Sequence, residues 1–158
     1  MTILIAYDGS DDARAALDFA ARRLRPEPTV VISVWEPLLL QFAWAPLVAE
    51  TPAGPDPEPN DQFEEEKQAE HLAREGADIL REAGLSDVRT LAERGGGPVW
   101  SAIVDVADEL DASLVVTGSR GLAGARSLIL GSVSTRVLHH ARRPVLVVPP
   151  KQEKEKEG

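Results

Sequence analysis

Three glycines and a serine, Gly118, Gly121, Gly131 and Ser132, have the types and spacing to do chemistry, and the chemistry is phosphate binding. They lie in LVVTGSRGLAGARSLILGSVSTRVLHHARRPVLVV, residues Leu114 to Val148. An apolar run (Leu114, Val115, Val116) leads into Gly118-Ser119-Arg120-Gly121. Nine residues, Leu122 to Leu130, separate these from Gly131-Ser132, where an amphipathic helix opens. A strand that hands glycines to a helix N-terminus presents backbone N–H groups to an anion. No Cβ blocks the approach, and the helix dipole favours negative charge. Ser132 adds a hydroxyl at the same place. Taken alone, Gly118 and Gly121 serve equally well as turn residues. Taken with Gly131-Ser132, they read as a nucleotide site.

The charge distribution agrees. The 158 residues carry a formal net charge of −9, which argues against a general nucleic-acid binder. Residues 56–75 hold eight acids (Asp56, Glu58, Asp61, Glu64, Glu65, Glu66, Glu70, Glu75) against Lys67 and Arg74. This cluster reads as the solvated face of a helix. From Ala112 to Pro150 there is no acid, while Arg120, Arg126, Arg136, Arg142 and Arg143 supply positive charge. Arg120 and Arg126 are candidates to face the anion. Arg142 and Arg143 have a plainer explanation, since cations are favoured at a helix C-terminus.

Other chemistries find little support. The chain has no cysteine, which excludes disulfides, thiolate metal sites and cysteine catalysis. No G-K-[ST] lies between Gly118 and Ser132, and neither H-x-G-H nor G-x-S-x-G occurs. His139 and His140 are adjacent, so they point to different sides of a helix and fit its C-terminal end better than a metal site. Without an activated nucleophile or general base, no catalytic residue is assigned. Slow Mg-dependent hydrolysis of the bound nucleotide, or phosphotransfer from it, is left open.

The elements that must position these residues alternate between strand and helix. Residues 2–7 (TILIAY) read as a buried strand, followed by Asp8-Gly9-Ser10. The first helix has Ser10 at its N-cap, Asp11 and Asp12 in its first turn, and Ala13, Leu17, Ala20 and Leu24 along one face; Pro26 and Pro28 end it. Thr29–Trp35 is the second strand. Residues 36–61 break the pattern, with six of the 12 prolines and an apolar set, Leu38, Leu39, Leu40, Phe42 and Trp44. This Pro-rich loop is expected to be partly disordered.

The second helix spans Asp61–Ala83, with Ala69, Leu72, Ala73, Gly76, Leu80 and Ala83 inward and Gly84 as its stop. A third strand at Val88–Ala92 leads through Gly95-Gly96-Gly97 to a helix with Pro98 at its first position and Val99, Ile103, Val106 and Leu110 inward. Ser113–Thr117, Ser132–Ala141 and Val145–Val148 complete the series as strand, helix and strand. Trp35 and Trp100 are expected in the core or a groove wall. No run approaches the ~20 apolar residues of a membrane span. The charged tail, 151–158, has nothing to bury. The strand-like start, without a basic or long apolar leader, gives the cytoplasm as the expected location.

Such an alternation calls for an α/β protein, one domain over residues 1–150, with a parallel sheet covered by helices on both faces. Ligands of such sheets bind beyond the strand C-termini, where the strand order reverses. That rule nominates Asp8-Gly9-Ser10, Val34-Trp35 and Gly118 to Gly121.

In these features the sequence resembles the universal stress protein family, whose nucleotide-binding members carry G-x-x-G, nine residues, then G-[ST]. The likeness extends to AYDGS near the N-terminus, to Gly97-Pro98, and to HHARRPVLVVP. It covers the chain except residues 36–61 and the tail. It implies a Rossmann-like, adenine nucleotide alpha hydrolase-like fold, with five parallel strands in the order 3-2-1-4-5. It implies that the Val34 backbone pairs with the adenine edge. Asp8 approaches the ribose or a Mg²⁺ carried by the phosphates, with Gly9 and Ser10 beside it. Gly118, Arg120, Gly121, Gly131, Ser132, Val133 and Ser134 surround ribose and phosphates. Asp8 has a plainer alternative as a turn or capping acid. Ser113 stands where many members have an acid, away from the ligand end.

The implied function is that of an ATP-binding regulatory protein of the stress response, with another adenine nucleotide as a variant of the same reading. A nucleotide-independent interaction protein of the same fold is the alternative. The last strand would lie at a sheet edge, which implies a homodimer through Val145–Val148. Neither a membrane nor a nucleic acid is expected as a partner.

Overall fold

Strands of Val and Ile that are apolar on both faces need cover on both sides. The computed structural model describes residues 1–35, 59–119 and 130–150, with the backbone alone at 59–63. Its elements are β1 (Ile3–Ala6), α1 (Asp11–Arg23), β2 (Thr29–Trp35), α2 (Pro59–Glu82), β3 (Val88–Arg94), α3 (Val99–Glu109), β4 (Leu114–Gly118), α4 (Ser132–His140) and β5 (Val145–Val148). The strands form one parallel sheet in the order β3-β2-β1-β4-β5. This is the order implied by the resemblance.

Alternation along each strand divides the core in two. Ile3, Ile5 and Tyr7 of the first strand region face Ala16, Leu17 and Ala20 of α1 and Ala77 and Leu80 of α2. Leu4, Val30, Ile32 and Val115 face the other way, toward Ile103, Val106 and Ala107 of α3 and Val137 of α4. Helices therefore cover both faces. Among the described residues, no helix is long and apolar enough to cross a membrane.

Several local expectations need correction. The second helix begins two residues earlier than expected, with Pro59 and Asn60, read as the end of the loop, in the first turn of α2. Proline is accepted there because its missing N–H has no helical partner. Pro98, by contrast, stands one position earlier than expected, as the N-cap of α3 with ψ 146. β3 runs two residues further, to Arg94, because all seven of its residues pair with β2. Ala83 is exposed and Ala77 takes a place on the inner face of α2. The helix ends at Glu82, and a Leu85 N–H to Leu80 carbonyl bond (3.1 Å) turns the chain away through Gly84. The loop at 36–58, Arg120, Gly121, Arg126 and the tail at 151–158 lie outside the described residues.

The acidic face of α2 is more than solvated surface. Glu75 accepts hydrogen bonds from the Tyr7 hydroxyl (3.2 Å) and from the Arg14 guanidinium (2.9 Å), which ties α2 to β1 and α1. Burial pushes the Tyr7 hydroxyl above the ordinary tyrosine range, although the Arg14 guanidinium pulls the other way. A raised folded value favours the neutral phenol. Its contribution to stability is complete below the ordinary value of about 10 and is lost as pH rises through the raised value. Tyr7 is the one tyrosine of the chain, so phenolate absorbance reports on it alone. Its native titration midpoint is expected above the midpoint in denaturant. Tyr7→Phe should remove this part of the alkaline loss of stability; equal midpoints would refute the assignment.

Candidate functional site

Because β1, β2 and β4 are parallel, their carboxyl ends share one edge of the sheet. The strand order reverses between β1 and β4: the chain leaving β1 crosses to β2 on one side, and the chain leaving β4 returns as β5 on the other. Such a reversal opens a crevice at the carboxyl edge.

The turn after β1 forms one wall. Asp8 Oδ1 accepts a hydrogen bond from the Ser10 N–H at 2.9 Å, so the turn role open to Asp8 is realised. The carboxylate retains further acceptor capacity. Gly9 has φ +82, a region that side-chain-bearing residues rarely adopt. Ser10 is the expected N-cap of α1, with its Oγ accepting from the Ala13 N–H (3.2 Å). Ser10 is buried.

The end of β4 forms the opposite wall, and here packing is tighter than spacing alone suggests. A Cβ on Gly118 would lie 2.8 Å from the Asp12 backbone carbon and Cβ, and 3.0 Å from the Ala13 nitrogen. Gly118 is therefore required by the approach of α1, and its turn role is joined by a packing one. Ser119 follows and is buried. Its N–H donates to the Val148 carbonyl (3.0 Å), and its hydroxyl donates to Asp12 Oδ2 (2.9 Å). Its carbonyl accepts from the Gly131 N–H (2.7 Å) and from the Ser134 hydroxyl (3.0 Å). One residue thus links β4 to β5, to the first turn of α1 and to the start of α4.

That bonding places the N-terminus of α4 against the crevice wall. Gly131 is its N-cap, with φ −64 and ψ 161 and no side-chain cap. The first-turn N–H groups have no carbonyl partner within a helix. No acid lies in that turn, whereas α1 carries Asp11 and Asp12 in its own. Ser132 is exposed, and Val133 is half-buried with its side chain packed on the α3 side of the core. Ser134 is buried, and its one hydroxyl proton is shared between the Ser119 and Gly131 carbonyls.

Val34 stands farther off, on β2. Its side chain packs against the α3 side of the core. The Tyr7 N–H bonds the Ile32 carbonyl (2.9 Å) and the Gly95 N–H bonds the Trp35 carbonyl (2.8 Å). Peptide directions alternate along a strand, so the Val34 peptide groups turn toward the β1 side, one rung past the end of β1. Trp35 lies under the Arg94 guanidinium, 5.8 Å from the ring centroid. Trp100 stacks on His140 (4.4 Å, 20°), which gives that histidine a packing role at the end of α4.

The structure thus joins Ser119, Gly131 and Ser134 through one bonded network with Asp12 of α1, sets Gly118 against the same helix turn with Ser10 at its N-cap, and leaves Val34 across β1. Sequence reasoning gave no role to Ser119 and took Asp12 as an ordinary first-turn acid. A serine inside the glycine motif was the available signal, but its partner is distant in the chain. Among the described residues, no group of three or more His, Cys, Asp or Glu is arranged to hold a metal ion.

The doubly wound parallel sheet has the Rossmann-like, nucleotide alpha hydrolase-like fold. Within that class the chain belongs to the universal stress protein family, whose profile matches residues 1–149. A universal stress protein of Mycolicibacterium smegmatis is 32% identical over 150 residues, which cover 92% of this chain and 47% of that protein. The chain thus spans about half the length of that relative. A universal stress protein of Thermus aquaticus is also 32% identical, over 93% of this chain and 97% of its own length. A universal stress protein from Archaeoglobus fulgidus, solved in complex with dAMP, is 27% identical with a TM-score of 0.61, covering 94% of this chain and 97% of that one.

The Gly118 contact makes a prediction independent of any ligand. The added methyl would meet the Asp12 carbonyl carbon and Cβ and the Ala13 nitrogen, helix atoms that cannot swing aside, so Gly118→Ala should cost about 2 kcal/mol of stability. Urea denaturation checks it, and an unchanged midpoint would show that α1 can retreat.

Proposed function

We propose that the protein binds an adenine nucleotide at the carboxyl edge of the sheet and acts as a nucleotide-dependent regulatory protein of the stress response, with ATP as its ligand. The observation that carries this reading is the N-terminus of α4, bonded to the end of β4 beside the crevice and carrying no acid in its first turn. Such a helix end favours an anion. The Archaeoglobus fulgidus relative solved with dAMP supports an adenine nucleotide as the class of ligand.

In this reading residues 1–150 are the binding domain. The phosphates meet the backbone at Gly118, Gly121, Gly131, Ser132 and Val133, with Arg120 supplying positive charge. Ser134 acts through its bonds to Ser119 and Gly131. The Val34 peptide groups, past the end of β1, meet the adenine edge. Asp8, Gly9 and Ser10 line the ribose side.

A Mg²⁺ ion fits only one way. Asp8 would be its single protein carboxylate, and the phosphates and water would complete its shell. Bound there, it would neutralise phosphate charge beside Asp8. The reading assigns regulation rather than catalysis, and the expected location is the cytoplasm.

Wild-type protein is expected to release an adenine nucleotide on denaturation, identified by mass spectrometry, and to bind ATP or AMP by calorimetry, more tightly with Mg²⁺ where Asp8 takes part. Gly131→Val is the better variant for this test, because Gly131 has an extended conformation open to any residue. It should bind at least tenfold more weakly, on the order of the loss of one close backbone contact. A nucleotide-free wild type that binds neither compound would instead support the interaction-protein alternative.

The reading also includes a homodimer through β5. In the sheet β5 has β4 as its one neighbour among the described residues. The Pro144 and Val148 carbonyls accept from Val115 and Ser119, so alternation turns the Val145 and Val147 peptide groups to the open edge. Val147→Pro removes an outward donor while sparing the bonds to β4. Light scattering should give a dimer for wild type and a monomer for this variant. A monomeric wild type would overturn the dimer.

A further inference from the structure

We infer that Ser119 is a positioning residue, and that its clasp sets how strongly the site holds phosphate as distinct from the nucleoside. The inference rests on the nucleotide reading proposed above. Two groups at the N-terminus of α4, the Gly131 N–H and the Ser134 hydroxyl, share the Ser119 carbonyl at 2.7 and 3.0 Å and tie that helix end to the end of β4. A carbonyl offers two lone pairs, and both are used here.

The carbonyl is itself held from two directions. The Ser119 N–H is bonded to Val148 at the end of β5, and the hydroxyl is bonded to the buried Asp12 carboxylate on α1. A hydrogen bond to a charged acceptor is stronger and more directional than a neutral one. Removing the hydroxyl leaves the carbonyl in place but releases one of its two restraints. The start of α4 then shifts relative to β4.

Phosphate binding by helix N–H groups depends steeply on their aim. Contacts on the base side, at the Val34 peptide groups, do not pass through Ser119. The clasp therefore acts on one half of the ligand. Ser134 belongs to the same device: it is buried, and its single hydroxyl proton is shared between the Ser119 and Gly131 carbonyls.

Calorimetric titration of adenosine beside AMP and ATP tests this in the full-length protein. Ser119→Ala and Ser134→Ala should each weaken AMP and ATP about tenfold, the scale of one lost hydrogen bond, and leave adenosine unchanged. Ser119→Thr, which restores a hydroxyl, should return the phosphate preference. If one alanine variant fails to fold, the other decides. Unchanged AMP affinity in a folded alanine variant, or equal weakening of AMP and adenosine, would overturn the positioning role while leaving nucleotide binding intact. A wild type that binds none of the three compounds would overturn the nucleotide reading, and this inference with it.

Discussion

The contact between the end of β4 and the first turn of α1 is the constraint on which the rest of the site depends. At Gly118 the two backbones approach so closely that a single methyl group would lie 2.8 Å from helix atoms. One residue later, the Ser119 hydroxyl meets the Asp12 carboxylate at 2.9 Å. Sterics bring the segments together, and a buried charge-assisted hydrogen bond fixes their orientation. Everything attached to Ser119 inherits that placement, including the last residue of β5 and the start of α4. Within the glycine motif, Gly118 thus answers a packing demand of its own, set by the approach of α1.

The electrostatics follow from where acids are kept. α1 carries two acids in its first turn, and Asp12 is buried with its carboxylate against Ser119. α4 presents its N-terminus to the crevice with no acid in that turn. Both helix ends have the same dipole, yet only the first is answered by acids in its own first turn. The surplus of acids on α2 serves elsewhere: Glu75 joins Tyr7 and Arg14 and holds α2 over β1.

The start of α4 and the end of β5 are also more directly connected than the linear chain suggests. In sequence, α4 lies between the phosphate motif and β5. In space, Ser119 touches both ends of that path, holding Gly131 on one side and Val148 on the other. Any movement of the α4 N-terminus therefore bears on the end of β5 through one residue.

Much of the fold was legible in the sequence because it depends on local pattern. Strand and helix periods, Ser10 as a cap and the Gly84 stop are set by neighbours within a few residues. The spacing of Gly118, Gly121, Gly131 and Ser132 pointed to a nucleotide site for the same reason, and the family likeness supplied the strand order. The tertiary structure decided what depends on distant partners. Asp12 and Ser119 are 107 positions apart, and Tyr7 and Glu75 are 68 apart, so no local period could pair them. It likewise decided that Ala77 rather than Ala83 faces the sheet, because the helix stops at Glu82. By itself, the sequence determined the class of protein and nominated the region of a candidate site. How that site is held is a matter of contacts that exist only once the sheet has brought β1, β4 and their helices together.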